Sequence, residues 1–168
     1  PCSADKQCRE AFGLGSTCGD DGLCAMADRN ARCDQTYPSD LLTRPQKHST
    51  DLILGTLFDG QTDGPQRQAI ELAAMQVNDN IGAGDWLEGR KVGIVHCTYE
   101  TDLSIDDLGY PEAAEASLAY LVDVMGIQSL VGPATSSQSE VVYPLAEAAD
   151  VVVVSPSATS VFLNNMDG

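Results

Sequence analysis

The sequence predicts an α/β protein: a doubly wound parallel sheet, present as a partial lobe, preceded by a small disulfide-rich module. Three observations carry this. Beyond residue 50, short apolar runs alternate with segments of helical period. Five of the six cysteines fall within the first 33 residues. Charge divides at the same place: residues 1–50 hold six Lys+Arg and seven Asp+Glu, whereas residues 51–168 hold three and eighteen.

Composition bounds what the chain can do. Of 168 residues, 43% are hydrophobic but only 5% aromatic, so the core must be aliphatic. A net charge of −16 excludes nucleic acid and anionic membrane surfaces as partners, since both need clustered cations. Its ordinary meaning is solubility. No apolar run approaches the ~20 residues of a membrane span. The chain opens on Pro1 rather than Met, which reads as a mature or engineered form with an export signal removed.

Residues 1–34 read as a cysteine-rich module. Cys2, Cys8, Cys18, Cys24 and Cys33 sit among turn-forming glycines with few large apolar residues. Such a segment cannot bury a core, and disulfides are the usual remedy. Zinc is a poor alternative, because there is no C-x-x-C pair and His48 is remote. Disulfides imply an oxidising compartment. Six cysteines allow fifteen pairings. Cys97 stands alone in the later part, so Cys33–Cys97 is expected to staple module to lobe. The interleaved spacing suggests Cys2–Cys18 and Cys8–Cys24 for the rest. Residues 35–50, with two prolines and no periodicity, read as a linker.

Residues 51–168 read as the lobe. The strands are 51–58, 91–97, 127–131 and 151–154. The first helix presents Ile70, Ala73, Ala74, Val77 and Ile81 on one face, with Gly82 and Gly84 as its stop. The second opens at Pro111, ends at Gly126, and buries Ala114, Leu118, Leu121, Val122 and Met125. The third has capping-box spacing at Ser137 and Glu140. Its inner face is Val141, Val142, Leu145 and Ala149, and Pro144 should kink it. Near-continuous apolar strands joined by helices predict a parallel sheet covered on both faces. The chain stops about a dozen residues after the fourth strand, which suggests a fragment of a larger lobe.

Enzyme signatures are missing: no phosphate-binding G-x-x-x-x-G-K-[ST] and no G-x-S-x-G turn. His96 and Cys97 are adjacent in a strand and so face opposite ways, which argues against a dyad. Asp59 and Asp63 have calcium-loop spacing, but Ile70 occupies the position that needs a bidentate Glu. Asp102, Asp106 and Asp107 read as a solvated acidic loop. What remains is uncharged and polar. Residues 134–139 follow one strand and open a helix, and Ser155, Ser157, Thr159 and Ser160 follow the next. Ligands in such sheets sit beyond the carboxyl ends of the strands. Helix-start N–H groups with hydroxyls beside them suit a carboxylate.

The segment LVGPATSSQSEVVYPLAEAADVVVVSPSATS resembles the type I periplasmic binding proteins, especially those for branched-chain amino acids. The stretch before LEGRKVGIV, a strand, loop and helix, is similar too; together the resemblance spans residues 51–165. It implies an extracellular or periplasmic solute-binding protein for a small amino-acid-like ligand, feeding an ABC-type importer through a membrane permease. It implies no catalysis and no cofactor or metal. A lipid anchor in the full-length form is consistent with it. By position, Ser136 matches the helix-start serine that holds the ligand carboxylate. Ser157 matches the residue whose carbonyl meets the amino group, and Thr159 the threonine that contacts both. Ser137 adjoins them, and Gln61 and Thr62 fall on a loop that lines the family's cleft. The sequence departs from the family in its cysteine-rich prefix, in a longer acidic loop at 100–110, and in lacking a second lobe. One wall alone is expected to bind weakly. The alternative expectation is a ligand-sensing or partner-binding extracellular module with no role in transport.

Overall fold

The computed structural model describes residues 1–80, 87–101 and 104–165. The N-terminal module is held by covalent rather than hydrophobic means. Helix α1 (Asp5–Phe12) buries only Cys8. Strands β1 (Ser16–Cys18) and β2 (Cys24–Met26) form an antiparallel pair, too small to be stable alone. Disulfides Cys2–Cys18 and Cys8–Cys24 constrain it. The third, Cys33–Cys97, ties the module to the main sheet across 64 residues of sequence. These are the three pairings expected from the sequence.

The main sheet contains β3 (Gln35–Tyr37), β4 (Leu52–Phe58), β5 (Val92–Thr98), β6 (Ser129–Val131) and β7 (Val152–Val154). Their order is β3-β5-β4-β6-β7. The last four in sequence run parallel, and β3 pairs antiparallel with β5. Every residue of β5 is buried, as a strand covered on both faces requires. Helix α2 (Gly64–Asp79) covers one face, with Ala74 against Val92 and Ile94. Helices α3 (Glu112–Ala119) and α4 (Ser136–Ala148) cover the other, over Leu57, Val95 and Leu130. Leu57, Val95 and Leu130 are fully buried, each contributing about 2 kcal/mol by leaving water. Cys97 lies on this second face, which is why Cys33 can reach it.

Several expectations need correction. Residues 35–50 are not a free linker: they supply strand β3, and Leu41 is fully buried against the lobe. Three residues are too few to show strand alternation, and the nearby prolines masked the rest. The inner stripe of α2 includes Arg67 rather than Ala73, which is exposed. Ile81, Gly82 and Gly84 lie outside the described residues. Helix α4 begins at Ser136, so its capping box is Thr135 with Gln138 rather than Ser137 with Glu140. Its buried positions are Ser139, Val142 and Ala146; Ala149 is exposed. The helix runs on through Pro144, whose ring faces solvent. The acidic loop is more than solvated charge. Asp106 takes a two-point ion pair from buried Arg32, whose Nη1 also donates to the Glu100 carbonyl at 2.7 Å. Asp102 lies outside the described residues.

Candidate functional site

The strands β4 and β6 are neighbours whose following helices pack on opposite faces of the sheet. Their loops therefore diverge and leave a crevice at the carboxyl end. Residues 59–63 leave β4, Tyr99 and Glu100 leave β5, 132–135 leave β6, and 155–160 leave β7. At Gly132 the φ is 106°, and a Cβ there would sit 2.4 Å from the Leu57 carbonyl oxygen. Only glycine lets the β6 loop turn so close to β4.

The two hydroxyl-rich loops are joined directly. Ser136 Oγ accepts the backbone N–H of Thr159 at 3.1 Å and of Ser160 at 3.0 Å. Ser155 donates its hydroxyl to the Pro133 carbonyl at 2.6 Å, and Ser157 donates to the Ala134 carbonyl. The α4 N-terminus and the 155–160 loop thus form one hydrogen-bonded wall. Thr135, Ser137, Ser157 and Thr159 face solvent along it, and Ser136 is half-buried. With both N–H groups received at Ser136 Oγ, the hydroxyl proton is left to donate outward.

Gln61 and Thr62 sit across the crevice on the β4 loop, exposed. The Asp59 carboxylate accepts their backbone N–H groups at 2.8 and 3.2 Å, and Gln61 donates its amide to Glu100. Sequence reasoning missed what joins this loop to α4. Tyr99 shares its phenol proton between Asp63 Oδ2 at 3.2 Å and Gln138 Oε1 at 2.9 Å. Burial and the Asp63 charge raise the Tyr99 pKa well above the ordinary phenol value, so it stays a donor. Tyr110 packs edge-on against Tyr99 and donates to the Gln138 carbonyl at 3.0 Å. Its place immediately beyond the second strand was the available signal for Tyr99.

Beneath the crevice, Arg67 Nη2 donates to the carbonyls of Phe58 and Cys97, both at 3.2 Å, and Nη1 to Gln35. Burial lowers its pKa, opposed by Asp63, Glu100, Asp34 and Asp59. His96 is also buried, with Nδ1 2.7 Å from Thr56 Oγ1 and Nε2 3.1 Å from Glu71. Cys97 is in its disulfide on the opposite face. The sulfurs of Cys2, Cys8 and Cys18 cluster within 4.8 Å, but the disulfides leave no thiolate to bind a metal.

The arrangement is a polar, largely uncharged wall around a helix N-terminus at a parallel-sheet switch point. The lobe has the fold of the type I periplasmic binding proteins. The branched-chain amino acid transporter substrate binding protein LivJ from Streptococcus pneumoniae, solved in complex with isoleucine, matches 67% of this chain at 24% identity and a TM-score of 0.50. A periplasmic binding protein type 1 from Bordetella pertussis Tohama I matches 66% at 23% identity and a TM-score of 0.49. The chain spans 30% and 28% of those proteins. No family model and no curated protein matches the sequence.

Proposed function

We propose that the lobe is one wall of a non-catalytic solute-binding protein that takes a small amino-acid-like ligand at Ser136, Ser137, Ser157 and Thr159, with Gln61 and Thr62 on the far side. The observation that carries this reading is the bridge from Ser136 Oγ to the Thr159 and Ser160 N–H groups. It fixes two loops in register at the N-terminus of α4 and leaves the Ser136 hydroxyl proton free to donate to a ligand carboxylate. Helix-end N–H groups favour the same charge. The ligand amino group meets the carbonyl of Ser157 and the Thr159 hydroxyl. A second lobe closes over the ligand by hinge motion, and the closed protein delivers it to the permease of an ABC-type importer.

Three disulfides suit a periplasmic or extracellular setting. Among the described residues no helix is long and apolar enough to cross a membrane. We take residues 1–34 as a partner-facing module and 51–168 as the lobe, with 35–50 as the strap between them. Titration calorimetry against a panel of free amino acids tests the reading. A two-lobed form binds one of them at about micromolar strength, and this chain alone at about millimolar strength or weaker, because a half-solvated ligand competes with water for each bond. Micromolar binding by the single wall, or no amino acid bound by either form, contradicts it.

A further inference from the structure

A groove of about 570 Å³ lies away from the strand ends, between the cysteine-rich module and residues 43–47. All three residues of β2 line it, together with Phe12, Pro45 and the cations Arg44 and Lys47. Its walls are rigid. The module is cross-linked by two disulfides, and a Cβ at Gly13 would sit 2.7 Å from the Pro45 carbonyl carbon, so the two sides touch backbone to backbone. Two features set the groove apart. Phe12 is 52% exposed and Met26 56% exposed, in a module with almost no core to spare. And among the described residues no acidic one lines it, in a chain with 25 acidic and nine basic residues. Lys47 is paired with Asp40. Arg44 is exposed, and among the described residues its side chain has no ion-pair partner. β2 has β1 as its only strand neighbour among the described residues.

We infer that this groove is a docking site for an acidic, extended peptide segment of a partner protein, one that lays an apolar side chain on Phe12 and Met26 and a carboxylate on Arg44. Charge selects the partner. A molecule of −16 repels acidic segments over most of its surface, so one that docks is oriented to the groove lined by Arg44 and Lys47 and free of carboxylates among the described residues. The apolar contacts hold what charge attracts, and an open β2 edge accepts backbone hydrogen bonds as edge strands do in peptide recognition. The inference is independent of the ligand site, with which the groove shares no residue.

The test is amide chemical-shift mapping of the whole chain with three capped hexapeptides: EDLFDE, its charge-reversed form KRLFRK, and the apolar-deleted EDGSDE. EDLFDE is expected to shift the amides of Phe12, Ala25, Met26 and Arg44 saturably, with the effect fading at high salt. Arg44→Glu and Phe12→Ser alter exposed side chains and leave the fold intact; each is expected to weaken EDLFDE at least about tenfold. Equal shifts with KRLFRK, no shifts at millimolar EDLFDE, or an unchanged response in both variants overturns the inference. So does the same set of shifts appearing on raising protein concentration without peptide, which would make the occupant a second copy.

Discussion

Ser136 Oγ accepts the backbone N–H of Thr159 across 23 residues of sequence, at 3.1 Å. One hydroxyl therefore ties the 155–160 loop to α4, and in the proposed site it also gives its proton to the ligand carboxylate. Ser136→Ala removes both. Amino acid affinity of the two-lobed form is expected to fall by about 1–3 kcal/mol, the worth of a hydrogen bond to a charged group. The unliganded protein should also show faster hydrogen exchange at Thr159 and Ser160. Thr159→Ala, which keeps its N–H, should lose affinity by a similar amount but leave that exchange unchanged. If both variants keep full affinity in calorimetry, the site lies elsewhere.

Tyr99 holds the β4 loop and α4 together through Asp63 and Gln138. Tyr99→Phe keeps the ring and its contact with Tyr110 while deleting the proton. The expected cost is about 1 kcal/mol of stability, read by urea denaturation. Exchange should quicken in residues 59–63 and at the start of α4 together; an effect confined to one of them would show that Tyr99 does not couple the two.

The staple gives a second stability prediction. Cys33 and Cys97 close a 64-residue span, so replacing both with Ala should cost about 4 kcal/mol on loop-closure grounds, against about 3 for Cys2 with Cys18, which are 16 apart. Equal urea midpoints for the wild type and the Cys33→Ala/Cys97→Ala protein would rule out a staple that constrains the chain.

His96 makes stability depend on pH. The neutral ring is satisfied on both sides, accepting from Thr56 and donating to Glu71. Burial first, and then the Arg67 charge, push its pKa down to about 4 from 6.5. Between those values the unfolded chain takes up the proton and the folded one does not. Its contribution is therefore complete above pH 6.5 and is lost as pH falls toward 4. The full shift corresponds to about 3 kcal/mol. In His96→Gln, stability should fall less steeply between pH 6.5 and 4.5. Parallel profiles for the two proteins would contradict the assignment.

The four parallel strands were legible because each is a continuous apolar run: VGIVHCT is buried throughout, as a central parallel strand needs, and VVVV gave the same signal although β7, at the sheet edge, exposes Val152 and Val154. The cysteine pairing was legible because Cys97 alone lies outside the cluster. Arg67 was not legible: a charge on an inner helix face breaks the apolar pattern, and only the carbonyls of Phe58 and Cys97, brought together by the sheet, explain it. β3 was hidden by its length. At the site, Ser136 and Thr159 announced themselves through sequence neighbours. Asp63, Tyr99 and Gln138 come from three separate segments, and nothing local marks them as partners.

Under the proposed function, the carboxyl-end wall at Ser136 and Thr159 recognises an amino acid. The most direct measurement is amide chemical-shift mapping of this chain with isoleucine, leucine, valine and a panel of other free amino acids up to about 50 mM, well above the millimolar constants expected of a single wall. Saturable shifts centred on Ser136, Ser137, Thr159 and Ser160, absent in Ser136→Ala, are predicted for at least one of them. Saturable shifts centred elsewhere, or no shift at this wall with any amino acid, would contradict it.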